Sequence, residues 1–416
     1  MHILVVTDQH PESLGGVQVA LRLQRRYLER AGHVVTIAAP ALHSASYAPS
    51  ERDRAAYIDL PSVSITRDRE YGVTWPGRRS DRALDAALAE REAAGGPPVD
   101  LVHIQGDFWG AMVGLRAAKR LGLPVMFTMH NNVEEGTRAV SRLAPLAFAG
   151  LRVWRRIAVG PVPRAERARV AASSGGAWRY LAELASGAAL VTAPSAHFAD
   201  TLVQHGVADA VEITQGGVDD EVIEAVRAVP RSARTRPRLV WLGRMSGEKR
   251  VLEFVEALGA SGVDADVTLH GAGLLLTRVQ RRIDALGIAD RVRIAGPVPY
   301  AQALAAMRDA DALVQTSIGF ETQGLTPYEA AALGTPTIFC DPNIASDLAA
   351  KPSWLARDAS VAALADALRL AVSELAAEPG ALRVPAEVGG GLLQSAKSAG
   401  MVGLYRRLLG AERFRR

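Results

Sequence analysis

The segment GFETQGLTPYEAAALGTP sets two carboxylates, Glu321 and Glu329, eight residues apart around the expected start of a helix that Gly334 and Pro336 end. Backbone N–H groups of Gln323, Gly324 and Leu325 would lie at the positive end of the helix dipole. That is a seat for a diphosphate, with the carboxylates accepting hydrogen bonds from sugar hydroxyls. The same residues also fit a plainer arrangement that needs no ligand. Thr326 as N-cap, Pro327 at the first helical position and Glu329 three residues after the cap make a capping box.

A second group follows the apolar run RLVWLG, where GRMSGEKR brings Arg244 and Lys249 to the carboxyl end of an expected strand. A forked guanidinium and a mobile ammonium suit phosphoryl oxygens and would neutralise a departing diphosphate as a glycosidic bond to phosphate breaks. Exposed cations near a helix start are otherwise simply solvated. Gly15 and Gly16 open the first helix and would let backbone N–H groups approach an anion, or only form a tight turn. Neither this loop nor GAGLLL at 271–276 completes G-x-G-x-x-G, and G-x-x-x-x-G-K-[ST] is missing, which argues against dinucleotide and P-loop chemistry.

His130 closes the strand-like PVMFTMH and precedes NNVEEG, so an imidazole and the carboxylates Glu134 and Glu135 stand at a strand's carboxyl end. The pairs Asp264 with Asp266 and Asp309 with Asp311 read as solvated turn carboxylates, and no cluster points to a metal. Residues 141–170 hold about seven Arg against one Glu, interleaved with apolar residues and including Trp154, Arg155 and Arg156. Such a surface could lie on anionic headgroups with Trp154 at the interface, or be a helix packed on its domain with solvated arginines.

These residues need a scaffold that brings strand ends together. HILVVT, HVVTIAA, VDLVHIQG, PVMFTMH and AALVTAPS alternate with helical stretches, the pattern of a parallel sheet covered by helices. After the Arg- and Pro-containing AVRAVPRSARTRPR a second such series begins at RLVWLG. The expected domains are 1–219 and 220–395, two doubly wound Rossmann-like α/β units facing across a cleft at the carboxyl ends of their sheets. Residues 40–100 are expected as loops or a hairpin. The terminal segment 396–416 reads as a basic amphipathic helix.

The chain has 416 residues, 49% hydrophobic and 22% charged, enough for two cores and unlike a disordered or collagen-like chain. Cys340 stands alone, so no internal disulfide is possible and a reducing cytosol is the expected setting. No apolar run reaches bilayer-spanning length, the start MHILVVTDQH shows no basic leader, and a net charge of +4 does not imply nucleic acid.

In this order the motifs resemble glycosyltransferase family 4, the retaining, nucleotide-sugar-dependent enzymes of GT-B fold. The resemblance runs over nearly the whole chain. It rests on GG at 15–16, His130, VTAPS at 191–195, QGGVD at 215–219, LGR at 242–244 with Lys249, GAG at 271–273, and Glu321 and Glu329 with EAAALGTP. It implies that Glu329 holds ribose hydroxyls, that Arg244 and Lys249 hold the diphosphate, and that Gly16 meets the phosphates from the other domain. It further implies that Glu321 and His130 contact the donor sugar, surrounded by backbone groups of Thr322, Gln323, Gly324 and Leu325, with no cofactor and no metal. The terminal helix is implied to cross back to the first domain.

ETQGLTPYEA is most similar to the corresponding element of bacterial diacylglycerol glucosyltransferases, which use UDP-glucose at a membrane surface. The implied partners are then a nucleotide sugar, a lipid or glycan acceptor with Glu134, Glu135, Trp154, Arg155 and Arg156 on its side, and an anionic membrane surface. The implied location is cytoplasmic, on the inner face of the plasma membrane. Other chemistries of the same architecture are a nucleotide-sugar epimerase or phosphorylase, and a catalytically silent nucleotide-sugar-binding protein at a membrane.

Overall fold

Runs that are apolar at successive positions become strands buried on both faces. HILVVT is buried throughout as β1 (His2–Thr7), and the same pattern gives β2 (Val34–Pro40) and β3 (Tyr57–Leu60). A two-stranded antiparallel hairpin, β4 (Val63–Ser64) with β5 (Gly72–Val73), interrupts the series. It is followed by β6 (Leu101–Gln105), β7 (Val125–Thr128), β8 (Leu190–Ala193) and β9 (Glu212–Ile213). In this computed structural model these strands form a parallel sheet of order β3-β2-β1-β6-β7-β8-β9.

A second parallel sheet has the order β12-β11-β10-β13-β14-β15. It comprises β10 (Arg238–Leu242), β11 (Asp266–His270), β12 (Val292–Gly296), β13 (Ala312–Gln315), β14 (Thr337–Phe339) and β15 (Ser353–Leu355). The sheets belong to two units, Met1–Gly216 with Lys397–Arg416, and Gly217–Ala396. In each sheet the strand order reverses beside the first strand, between β1 and β6 and between β10 and β13. Loops at the carboxyl ends of such neighbours diverge and leave room for ligands.

The helix Gln394–Arg413 closes the chain, and from Lys397 it belongs to the first unit. Its apolar side, Met401, Val402, Leu404, Tyr405 and Leu408, is buried in one cluster with Ile3, Val5, Leu21 and Leu28. The irregular 40–100 region contains that hairpin and also the helices Glu51–Ala56 and Arg78–Ala93. The structure describes residues 1–413 except 14, 44–49, 68 and 232–234. Parts of the expected 40–100 region, interdomain segment and terminal helix therefore lie outside the described residues.

Candidate active site

In the second unit, β10 ends in the loop that carries Arg244. Gly243 N donates to His270 O at 3.1 Å, Met245 N to Ala272 O at 2.8 Å, and Leu275 N to Met245 O at 2.9 Å. This lacing explains the GAG motif. Gly271 and Gly273 have φ of 137° and 156°, and a Cβ on Gly271 would lie 1.9 Å from Gly243 O. Only glycine fits there. Arg244 itself is exposed, 3.5 Å from Glu248.

Lys249 ends a one-turn 3-10 helix (Gly247–Lys249) and is tied to the end of β13. Its carbonyl accepts from the Thr316 hydroxyl, which in turn accepts from Trp241 Nε1 at 2.9 Å. Its ammonium is ion-paired with the Glu321 carboxylate, which also accepts from Ser317 Oγ at 3.0 Å. Lys249, Glu321, Ser317, Gly324 and Thr326 line one small recess. The structure thus brings Lys249 and Glu321 together across 72 residues of sequence.

The helix after Glu321 runs Leu325–Ala332, and its N-cap is Gly324 at φ 72° with no side chain capping it. The capping-box arrangement of Thr326, Pro327 and Glu329 is therefore not what forms. The helix starts two residues earlier than that reading requires, which moves Glu329 into the second turn. There it is 9% exposed and hydrogen-bonded by the Tyr300 hydroxyl, and burial raises its carboxyl to about 7. The Tyr300 hydroxyl is raised by the same burial and by Glu329. Thr322 and Gln323 precede the uncapped turn, where N–H dipoles favour an anion. Neither Tyr300 nor Ser317 was singled out in the sequence; Ser317 stands at a strand's carboxyl end, but nothing local marks Tyr300.

In the first unit, Gly15 caps the helix Gly16–Arg30 at φ 147°, and a Cβ there would strike the Gln18 side chain. Gly16 is exposed with open space beside it. His130 follows β7, its Nε2 3.1 Å from Gln105 Oε1, and burial lowers its imidazole to about 4. Two buried carboxylates missed in the sequence stand at the ends of the neighbouring strands. Asp8, after β1, accepts from the N–H groups of Asp107, Phe108 and Gly110 at the start of the helix Trp109–Leu121. Asp107, after β6, accepts from His130 N at 3.1 Å and Asn131 N at 2.9 Å. Burial raises Asp8 to about 6, and burial with the Asp8 charge raises Asp107 to about 7. The strand-end argument that found His130 applies equally to both.

Several acceptor-side and turn expectations need correction. Glu134 accepts from Ala177 N at 2.7 Å and pairs with Arg138, so it serves the start of the helix Ala177–Ala185. Arg155 is 2% exposed and donates to Gly160 O at 2.7 Å, closing the helix Ala144–Val159 from inside. Trp154 is partly buried, its ring 4.9 Å from that of Trp75, and Trp75 is the more exposed partner. Glu135 and Arg156 remain exposed. Asp311, expected in a solvated turn, is buried and accepts from Arg238 N at 2.9 Å and from Arg383. Asp264 and Asp266 stay exposed beside Arg236, as expected of turn carboxylates, and Asp309 pairs with Arg308. Among the described residues no cluster of His, Cys, Asp and Glu could hold a metal ion.

Residues 14–222 match the family described as Glycosyltransferase Family 4, and residues 222–378 the one described as Glycosyl transferases group 1. The chain belongs to glycosyltransferase family 4. It is 27% identical over 78% of its length to the 2-deoxystreptamine N-acetyl-D-glucosaminyltransferase of Streptomyces fradiae, covering 74% of that protein. It is 22% identical over 81% of its length to the alpha-monoglucosyldiacylglycerol synthase of Streptococcus pneumoniae, covering 70% of it. The fold is similar to that of sucrose-phosphate synthase from Thermosynechococcus elongatus, with a TM-score of 0.68, 18% identity and 99% of each chain covered. The family 4 chain thus has the GT-B fold, two parallel-sheet Rossmann-like halves, and transfers a sugar from a nucleotide sugar.

Proposed function

We propose that this family 4 enzyme is a retaining, metal-independent hexosyltransferase that takes glucose or a related hexose from a UDP-sugar to a lipid hydroxyl at a membrane surface. The observation that carries the donor half is the Lys249–Glu321 pair, set between the carboxyl ends of β10 and β13 beside an uncapped helix start. A diphosphate there would draw Lys249 from Glu321 and meet Arg244 and the helix N–H groups. Glu321 would then accept from a sugar hydroxyl, and Glu329 would accept from the ribose.

The C1–O bond to the diphosphate breaks as the acceptor oxygen bonds to C1 on the same face, and the acceptor proton passes to the departing phosphate oxygen. Charge grows on the diphosphate during this step, so fixed cations and dipoles stabilise the transition state more than the ground state. The side chains themselves supply the positive charge, which supports turnover without a resident metal.

The lipid half rests on the helix Ala144–Val159. Its outward side shows Leu146, Val153 and Ile157, each at least 60% exposed, with Leu143 at its start and Trp75 beside Trp154. Arg142, Arg156, Arg164 and Arg167 are exposed around them. Apolar side chains rimmed by arginine match acyl chains under anionic headgroups, and the same-sign rim disfavours a second copy of the chain. No helix among the described residues is long and apolar enough to cross a membrane. The test compares UDP-glucose turnover on diacylglycerol in anionic vesicles with turnover on soluble 2-deoxystreptamine. Turnover on the soluble acceptor alone would overturn the lipid reading.

A further inference from the structure

We propose that a cavity along the second half of the helix Ala144–Val159 is a phosphate site, with Arg155 as its floor and Arg152, Arg156 and Arg167 around it, and that the phosphate it takes is the headgroup of an anionic phospholipid. The choice of a lipid as carrier rests on the membrane reading proposed above; the phosphate site does not. Every residue concerned belongs to the first unit.

Helical spacing builds the wall. Arg152 and Arg156 stand one turn apart on the helix, with Val153 beside them and Arg155 three residues after Arg152. Gly160 then turns the chain at φ 103°, and the segment after it brings Val162 and Arg167 to the same cavity. Arg167 Nε is held there by Val162 O at 3.3 Å. The cavity of about 540 Å³ is lined by four guanidinium groups and a single carboxylate, Glu183, so three positive charges are left uncancelled.

Arg155 decides the reading. It is 2% exposed, and a charge so deeply buried is normally paired. Here Nη1 closes the helix by donating to Gly160 O at 2.7 Å, while Nε is enclosed with no partner. Neither Arg155 nor Arg156 nor Arg167 makes an ion pair among the described residues. Glu183, whose charge reaches Arg155, is bonded instead by Arg152 Nε at 2.8 Å. An anion in the cavity would supply the charge this guanidinium lacks.

The lining also selects the anion and its carrier. Planar guanidinium forks approaching from several sides suit the tetrahedral oxygens of a phosphate better than the two coplanar oxygens of a carboxylate. The remaining lining, which includes Val153 and Val162, is apolar, and Val153 at 60% exposure leads along the helix to Ile157 at 78%. A phosphate attached to acyl chains meets both parts of this surface, whereas a free phosphate leaves the apolar part in water.

The test uses the full chain and reads binding alone. Flotation is compared on digalactosyldiacylglycerol vesicles, a phosphate-free host, carrying either phosphatidylglycerol or the carboxylate cholesteryl hemisuccinate at matched surface potential. Calorimetry with glycerol 3-phosphate provides the soluble arm. Wild type is expected to prefer phosphatidylglycerol on the order of tenfold and to bind glycerol 3-phosphate saturably. The double variant Arg156→Lys with Arg167→Lys keeps the charge but not the forks, and it should lose both the preference and the soluble binding. Both residues are exposed, so its melting temperature should stay near that of wild type. Arg164→Lys, exposed outside the cavity, should keep the preference. Soluble binding without a vesicle preference would overturn the lipid carrier. Absence of both, or a preference that survives in the double variant, would overturn the site. A protein that prefers phosphatidylglycerol yet glycosylates only soluble acceptors would support the site and count against the lipid acceptor alone.

Discussion

Glu329→Gln gives the sharpest reading of the second unit's chemistry. In the folded protein the Glu329 carboxyl is raised to about 7 from its ordinary 4.5, chiefly by burial, with the Tyr300 hydroxyl partly offsetting the shift. Between those pH values the folded state holds a proton that the unfolded chain has released. Stability is thus full below about pH 4.5, falls as pH rises, and has lost its contribution above about pH 7. A shift of about 2.5 units at about 1.4 kcal/mol each makes this on the order of 3 kcal/mol. Glutamine mimics the neutral acid and carries no such term. The variant is therefore expected to match wild type near pH 5 and to exceed it by up to about 3 kcal/mol at pH 8. Urea unfolding of both proteins at pH 5.5, 7 and 8 reads the difference directly. A difference that does not grow with pH, or a wild type more stable at pH 8, would refute the reasoning. The same shift bears on binding, because ribose hydroxyls donate to the charged form. UDP should release a proton on binding below about pH 7, seen by calorimetry in buffers of different ionisation heat, and Glu329→Gln should abolish that release.

Gly271→Ala should both destabilise the second unit, by about 1–3 kcal/mol, and weaken UDP binding, since its Cβ would displace the loop bearing Arg244; urea unfolding and calorimetry check the two effects. The double variant Leu146→Asp with Ile157→Asp should abolish flotation with anionic vesicles while leaving the melting temperature nearly unchanged, because both side chains are exposed; unchanged flotation would count against the lipid surface. Turnover should persist in excess EDTA, and a loss restored by added Mg²⁺ would contradict metal independence.

The alternation of buried apolar runs with helical stretches made both sheets legible from sequence, because strands covered on both faces need no polar alternation. Arg244 and Lys249 were legible as strand-end cations, and Glu321 as a carboxylate ahead of a helix start. What sequence could not show was the Lys249–Glu321 bond, which depends on β10 and β13 being neighbours. The start of the helix at Leu325 was misjudged in the capping-box reading because a glycine in the left-handed region can replace a side-chain cap. Arg155 and Glu134 looked like surface charges because local sequence does not reveal a buried carbonyl or a helix start far along the chain. Asp8 and Asp107 were overlooked although they follow strand ends as His130 does; only their backbone N–H partners on other elements lay beyond local sequence.

The central claim is that the second unit's cations hold a departing diphosphate. Nucleotide release from UDP-, GDP- and ADP-sugars, measured with and without anionic vesicles containing diacylglycerol, tests it on wild type and Lys249→Met together. Acceptor-dependent UDP release that falls by about 10²–10³ in the variant, corresponding to about 2.7–4 kcal/mol in the barrier, with its fold retained, is the expected result. Equal release by both proteins would contradict it.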